Sequence, residues 1–146
     1  MYKRQIHERS SGDVSIHMTN TTSGTTSSDG FTIFAGQSNG DAGFVNRESG
    51  GDIEFITNNG TNVTQRIIIK DSGHLYPNQD DTYDLGGTSN RWANIYSADL
   101  QLSNEGKSND VDGTWGQYTI QEGENDLFLI NRRNGKSYKF VLEEVN

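Results

Sequence analysis

The sequence predicts an all-β protein of short antiparallel strands, arranged in small sheets or sandwich-like modules and ending in a β-hairpin. Three observations predict it. The apolar residues come in tight clusters, such as Ile67-Ile68-Ile69 and Leu127-Phe128-Leu129-Ile130, and short apolar runs between polar links read as strands. Ile outnumbers Leu by 11 to 7, and β-branched and aromatic residues suit a pleated surface better than a helix. Strand candidates recur about every ten residues, with Gly, Asn, Asp and Ser between them.

The elements follow in order. Met1-Tyr2-Lys3-Arg4-Gln5 resembles the translation of an adapter used in preparing sequencing libraries, so residues 1–5 are set aside as a non-native leader. On that reading the chain continues a longer protein upstream. Residues 6–76 form an N-terminal β module. Within it Val14-Ser15-Ile16-His17-Met18 alternates as one strand, and Asn20 to Gly30 is a loop by composition. Four further strands are expected at Phe31–Ala35, Ala42–Asn46, Asp52–Thr57 and Arg66–Lys70. Ile53 and Phe55 share one side of theirs, which makes that face apolar. Residues 77–106 form a connector. Pro77 cannot donate to a ladder and marks a strand end or turn. Arg91 to Leu102 is expected to be extended, with Trp92, Ile95 and Tyr96 as its packing residues. Residues 107–146 form a C-terminal hairpin module. Its strands are Gln117–Gln121, Asp126–Arg132 and Ser137–Glu143, the last two joined around Asn134-Gly135. Asn-Gly between apolar runs predicts a two-residue turn with both residues at positive φ. Leu127 to Ile130 is apolar on both faces, so this strand is expected to be central or at a subunit interface.

These strands have little with which to build a private core. Leu, Ile, Val and Phe together make up only 30 of the 146 residues. Thin cores are relieved by disulfides, metals or oligomerisation. The chain has no cysteine, which removes disulfides and thiolate sites and leaves self-association as the expected remedy. The net charge is −8. From Asp71 to Asp126 there are eleven acidic and two basic residues, and the remainder is +1. An acidic middle argues against nucleic-acid binding, which needs a basic footprint. No apolar run approaches the length of a membrane span, so no membrane insertion is expected.

Three ordered sets of residues carry a resemblance. Gly73-His74-Leu75-Tyr76-Pro77, then Asp84-Leu85-Gly86, then Arg91-Trp92-Ala93-Asn94-Ile95-Tyr96 resembles a segment that recurs in bacteriophage tail fibres and related virion structural proteins. Ser28-Asp29-Gly30-Phe31, Asn46-Arg47-Glu48, Phe55-Ile56-Thr57-Asn58 and Arg66-Ile67-Ile68-Ile69 follow an order common in the shafts and heads of such fibres. The ending, Tyr118-Thr119-Ile120 through Asp126-Leu127-Phe128-Leu129-Ile130-Asn131-Arg132-Arg133-Asn134-Gly135-Lys136, resembles that of structural proteins from phages of marine cyanobacteria. The resemblance covers most of residues 28–146. It implies the C-terminal part of an elongated homotrimeric fibre on the outside of the virion, contacting a host polysaccharide or protein receptor. Asp84, Leu85, Gly86, Arg91, Trp92, Ile95 and Tyr96 would be its structural motif.

Catalytic and metal chemistry find little support. His7, His17 and His74 lack metal-ligand spacing and read as surface or packing histidines. No nucleophile elbow, phosphate-binding loop or zinc motif occurs. Asp80, Asp81 and Asp84 are the carboxylates a glycosidase or a calcium ion would use, but they lie in a polar turn where solvation accounts for them. Ser108-x-Asp110-x-Asp112-Gly113 begins like a calcium loop, yet Thr119 stands where a bidentate carboxylate is required. No enzyme activity and no cofactor are expected. Trp115, Arg132, Arg133 and Lys136 are the candidate glycan contacts, with a solvated hairpin tip as the plainer reading. Two other readings stay open: a carbohydrate-active tailspike fragment and a bacterial surface adhesin module.

Overall fold

Alternating sequence folds into ten strands in three antiparallel sheets, and no helix occurs among the described residues. The computed structural model describes residues 14–36 and 40–145. The expected leader at residues 1–5 and His7 lie outside them. Contacts divide the chain into two units between Leu85 and Gly86, inside the expected connector.

The first sheet has the order β1-β2-β3, from Val14–Met18, Phe31–Ala35 and Ala42–Asn46. Its register aligns Ile16, Ile33 and Phe44 in one row and Met18 with Phe31 in the next. Residues paired across strands share a face, so this face is apolar; the Phe31 and Phe44 rings stack on it at 6.3 Å. The long β1–β2 loop is held by its own polar side chains. Asn20 Oδ1 accepts from the amides of Thr22 and Ser23, and Asp29 Oδ2 from that of Thr26.

The second sheet has the order β4-β5-β6, from Ile53–Asn58, Val63–Ile69 and Leu75–Pro77. Its rows are Ile53–Ile69–Leu75 and Phe55–Ile67–Pro77, again an apolar face. Pro77 is tolerated because β6 is an edge strand. The register shifts between Phe55 and Ile56, leaving Arg66 as the extra residue of a bulge.

The third sheet lies in the second unit. Its order is β10-β9-β8-β7, from Ser137–Lys139, Leu127–Asn131, Gln117–Glu122 and Asp99–Ser103. One face carries the row Leu100–Ile120–Leu129–Tyr138, with Leu102 and Tyr118 beside it. The other carries Gln101, Thr119, Asp99 and Gln121, with Phe128 and Ile130 of β9 among them. Strand β9, the one apolar on both faces, is an inner strand as expected.

Three expectations need correction. The sheets are open rather than sandwich-like: no hydrophobic side chain among the described residues is buried. The segment Arg91 to Leu102 is not one extended element, because strand geometry begins only at Asp99. Trp92 is 62% exposed and Tyr96 94%, so they do not pack as foreseen. Aromatic and β-branched content favours a strand only where a neighbour exists to complete the ladder, and none pairs with residues 91–98. The β9–β10 hairpin is present, but only Gly135 has positive φ, at 72°. The loop is longer than two residues: Gly135 N donates to Asn131 O and Asn131 N to Lys136 O. Asn131 Oδ1 accepts from the amides of Arg133 and Asn134, so Asn131 organises the loop and Gly135 closes it.

Candidate functional site

The residues expected to form the tail-fibre motif turn out to shape backbone. Gly87 and Asn90 exchange both backbone hydrogen bonds at 3.0 Å, closing a tight turn over Thr88 and Ser89. Gly86 enters that turn at φ +94°, where L side chains are strained. A Cβ there would meet Asn90 O at 3.0 Å and the Trp92 ring at 3.5 Å. The spacing from Gly86 to Trp92 thus follows from a turn that lays an indole against a residue without a side chain. Arg91, Trp92, Ile95 and Tyr96 are all exposed.

Asp84 and Leu85 lie at the end of the first unit, lining a half-open cleft of about 490 Å³ with Ile67, Leu75, Pro77 and Tyr83. Arg66 braces it. Its Nε donates to Thr57 Oγ1 at 2.9 Å and its Nη1 to Tyr83 OH at 2.8 Å. The bulge at Arg66 aims this side chain, which pattern reading alone does not reveal. The other recurring residues are also ties. Glu48 accepts from Gly30 N, and Asn46 donates to Asp52 O while accepting from Glu48 N. Asp52 in turn accepts from Lys70 Nζ at 2.5 Å and from Asp71 N. The Lys70 bond, with the Asp71 amide, holds the Asp52 carboxyl below the usual carboxylate range, and Lys70 is raised by the same contact.

Of the candidate glycan contacts, the fold joins two directly. Arg133 lies over the Trp115 ring, 3.8 Å from its centroid, and donates to Trp115 O at 2.6 Å. Trp115 is therefore half-buried. Arg132 turns back into the sheet and donates to Thr119 Oγ1 at 2.8 Å. Lys136 is exposed in the same loop.

The acidic positions behave as loop structure. Asp112 Oδ1 accepts from Asn109 Nδ2 and from the amide and hydroxyl of Thr114. The Asn109 bond, followed by those from Thr114, lowers its carboxyl from the ordinary value. Thr119, at the missing calcium-ligand position, is fully buried within the third sheet. Among the described residues no three His, Cys, Asp or Glu side chains are placed to hold a metal ion. His17 contacts Asp29 O at 2.7 Å, and His74 stacks on Tyr76. No helix among the described residues is long and apolar enough to cross a membrane.

The most extensive chemical feature is therefore the apolar face of each sheet. Ile16, Ile33 and Phe44 on the first, Phe55, Ile67 and Leu75 on the second, and Leu100, Leu102 and Tyr138 on the third are all exposed. Scattered exposed apolar residues are ordinary, but contiguous apolar faces mark contact surfaces. No protein family, curated protein or solved structure matches the chain.

Proposed function

We propose that this chain is the C-terminal part of a phage tail fibre or related virion protein. It is non-enzymatic and homotrimeric, it lies outside the virion body, and it contributes to attachment at a host-surface polysaccharide or protein. The observation that carries this reading is the combination of well-paired sheets with no buried hydrophobic side chain among the described residues. Contiguous exposed apolar faces mark contact surfaces, and small chains with thin cores and no disulfide rely on self-association. Fibres do so by placing one chain's strands against another's. The resemblance of residues 28–146 to tail-fibre segments supplies the biological setting, and the turn-forming roles of Gly86, Glu48 and Asn46 fit a mechanical rather than catalytic part.

The test is the solution mass of residues 6–146 by light scattering, paired with thermal melting and incubation with host polysaccharide. A trimer that melts cooperatively and leaves the polysaccharide intact is expected. A stably folded monomer overturns the fibre reading, and depolymerisation overturns the non-enzymatic one.

A further inference from the structure

We propose that Asn59-Gly60, in the β4–β5 turn, is a site of spontaneous covalent modification: the turn activates the Asn59 side chain for deamidation through a cyclic imide. This stands apart from the tail-fibre reading and does not depend on it.

Asn-Gly is the dipeptide in which this chemistry is least hindered, because glycine puts no side chain beside the attacking nitrogen. The sequence has it at Asn39, Asn59 and Asn134, and Asn39 lies outside the described residues. The reaction joins the Gly60 amide nitrogen to Asn59 Cγ. The Gly60 N–H proton passes to water, the Cγ–Nδ2 bond breaks, and ammonia leaves with a proton taken back from water. Water then opens the imide at either carbonyl, giving aspartate or isoaspartate. Water is the only co-reactant, and nothing is oxidised or reduced.

The turn supplies what the addition step needs. As nitrogen adds to Cγ, negative charge develops on Asn59 Oδ1. That oxygen already accepts from two backbone amides, Thr61 N at 3.0 Å and Asn62 N at 2.8 Å. Donors fixed where charge develops lower the barrier to forming it. The same two bonds draw the side-chain amide forward over the Asn59–Gly60 peptide, which holds the attacking nitrogen. A Cβ on Gly60 would meet nothing within 4 Å, and the residue is exposed, so water reaches the amide. Its N–H donates to Asn58 Oδ1 at 2.8 Å, an exposed side chain that water can replace.

Asn134-Gly135 provides the contrast. Asn134 Oδ1 accepts from one amide, that of Lys136, at 3.0 Å. The Gly135 N–H is committed to a backbone carbonyl, Asn131 O, at 2.9 Å. With one donor fewer on the oxygen and the nucleophile tied into the loop's own backbone, folding restrains this site.

The modification acts where the second sheet sets its register. Asn58 pairs with Val63 across the turn, and Asn59 N donates to Asn62 O. Either product adds a carboxylate to a chain already at −8. Isoaspartate also lengthens the main chain inside this turn, which shifts the alignment of the strands it joins.

The test follows the wild-type full chain in heavy-oxygen water at one mildly alkaline pH, folded and in urea, with peptide mapping by mass spectrometry. Asn59 is expected to deamidate about ten-fold faster folded than in urea, below the roughly 100-fold that a donor supplies in a dry site because this loop is in water. Asn134 is expected to react more slowly folded than in urea. Isoaspartate among the Asn59 products marks the imide route, and aspartate alone overturns it. If Asn59 reacts no faster folded than in urea, the turn protects rather than activates and the proposal falls. If Asn134 is accelerated as much as Asn59, the paired amides are not the cause, and it falls equally.

Discussion

Thr119 offers the sharpest test of how the third sheet is held. Its side chain is 0% exposed, it donates to Gln101 Oε1 and it accepts from Arg132 Nε. Thr119→Val keeps the shape and deletes both bonds. A neutral bond contributes about 1 kcal/mol net, and one from a charged donor somewhat more. Gln101 and Arg132 are both exposed and can turn to water, so the low end applies, and the total is about 2 kcal/mol. At this chain length that lowers Tm by about 4–8 °C. Thr119→Ser keeps the hydroxyl and loses a methyl worth about 0.8 kcal/mol, so it should melt between the two. Calorimetry at fixed protomer concentration reads all three, because mass action would otherwise shift Tm. A Val variant melting within about 1 °C of wild type, or a Ser variant less stable than Val, would refute the hydrogen-bond account.

Three more predictions follow from single contacts. The Asp52 carboxyl is depressed by Lys70 and the Asp71 amide, so its stabilisation is present above the ordinary carboxylate range and fades as pH falls through its lowered value. Asp52→Asn should therefore melt lower than wild type near pH 6, and the gap should close in strong acid; a gap unchanged by pH sinks the assignment. Gly86→Ala forces a side chain into left-handed backbone at a cost of about 1–2 kcal/mol, and should shift the Trp92 indole N–H resonance while leaving that of Trp115 in place. Arg133→Ala should expose the Trp115 ring to iodide quenching and cost about 0.5–1 kcal/mol; Arg133→Lys should fail to restore protection, because an ammonium cannot lie flat on the ring.

Much of the sheet content was legible from alternation. The alternation of Val14–Met18 and the apolar clusters at Phe31–Ala35 and Leu127–Ile130 match observed strands, because each has a neighbour to complete its ladder. Residues 91–98 mislead for the opposite reason: their composition suits a strand, but no partner lies beside them. Asn134-Gly135 correctly signalled a hairpin, and the error in turn type came from Asn131, whose side chain competes for the loop amides. Around Leu75–Pro77 the sequence signals only a strand end or turn at Pro77, since three residues carry too little pattern to name an edge strand. The pairing of Arg133 with Trp115 was not legible at all. Eighteen residues separate them, and only the register of β8 against β9 brings their loops together.

The residues that carry the sequence resemblance acquire a physical meaning here that their spacing alone did not have. Gly86 is demanded by a backbone angle and by the close approach of the Asn90 carbonyl. Glu48 closes on the amide of Gly30, and Asn46 ties the end of β3 to Asp52. Thr57 and Arg66 join across the bulge. None of these groups presents reactive chemistry, and all hold a chain reversal or a strand end. Residues that position turns in open sheets set the height and direction at which the next apolar face emerges. If those faces must meet their counterparts on other copies, a turn out of place misaligns every row beyond it, because a one-residue slip sends the apolar set to the wrong side. Motifs of this kind would then persist wherever strands are assembled between chains, whatever else the protein contacts.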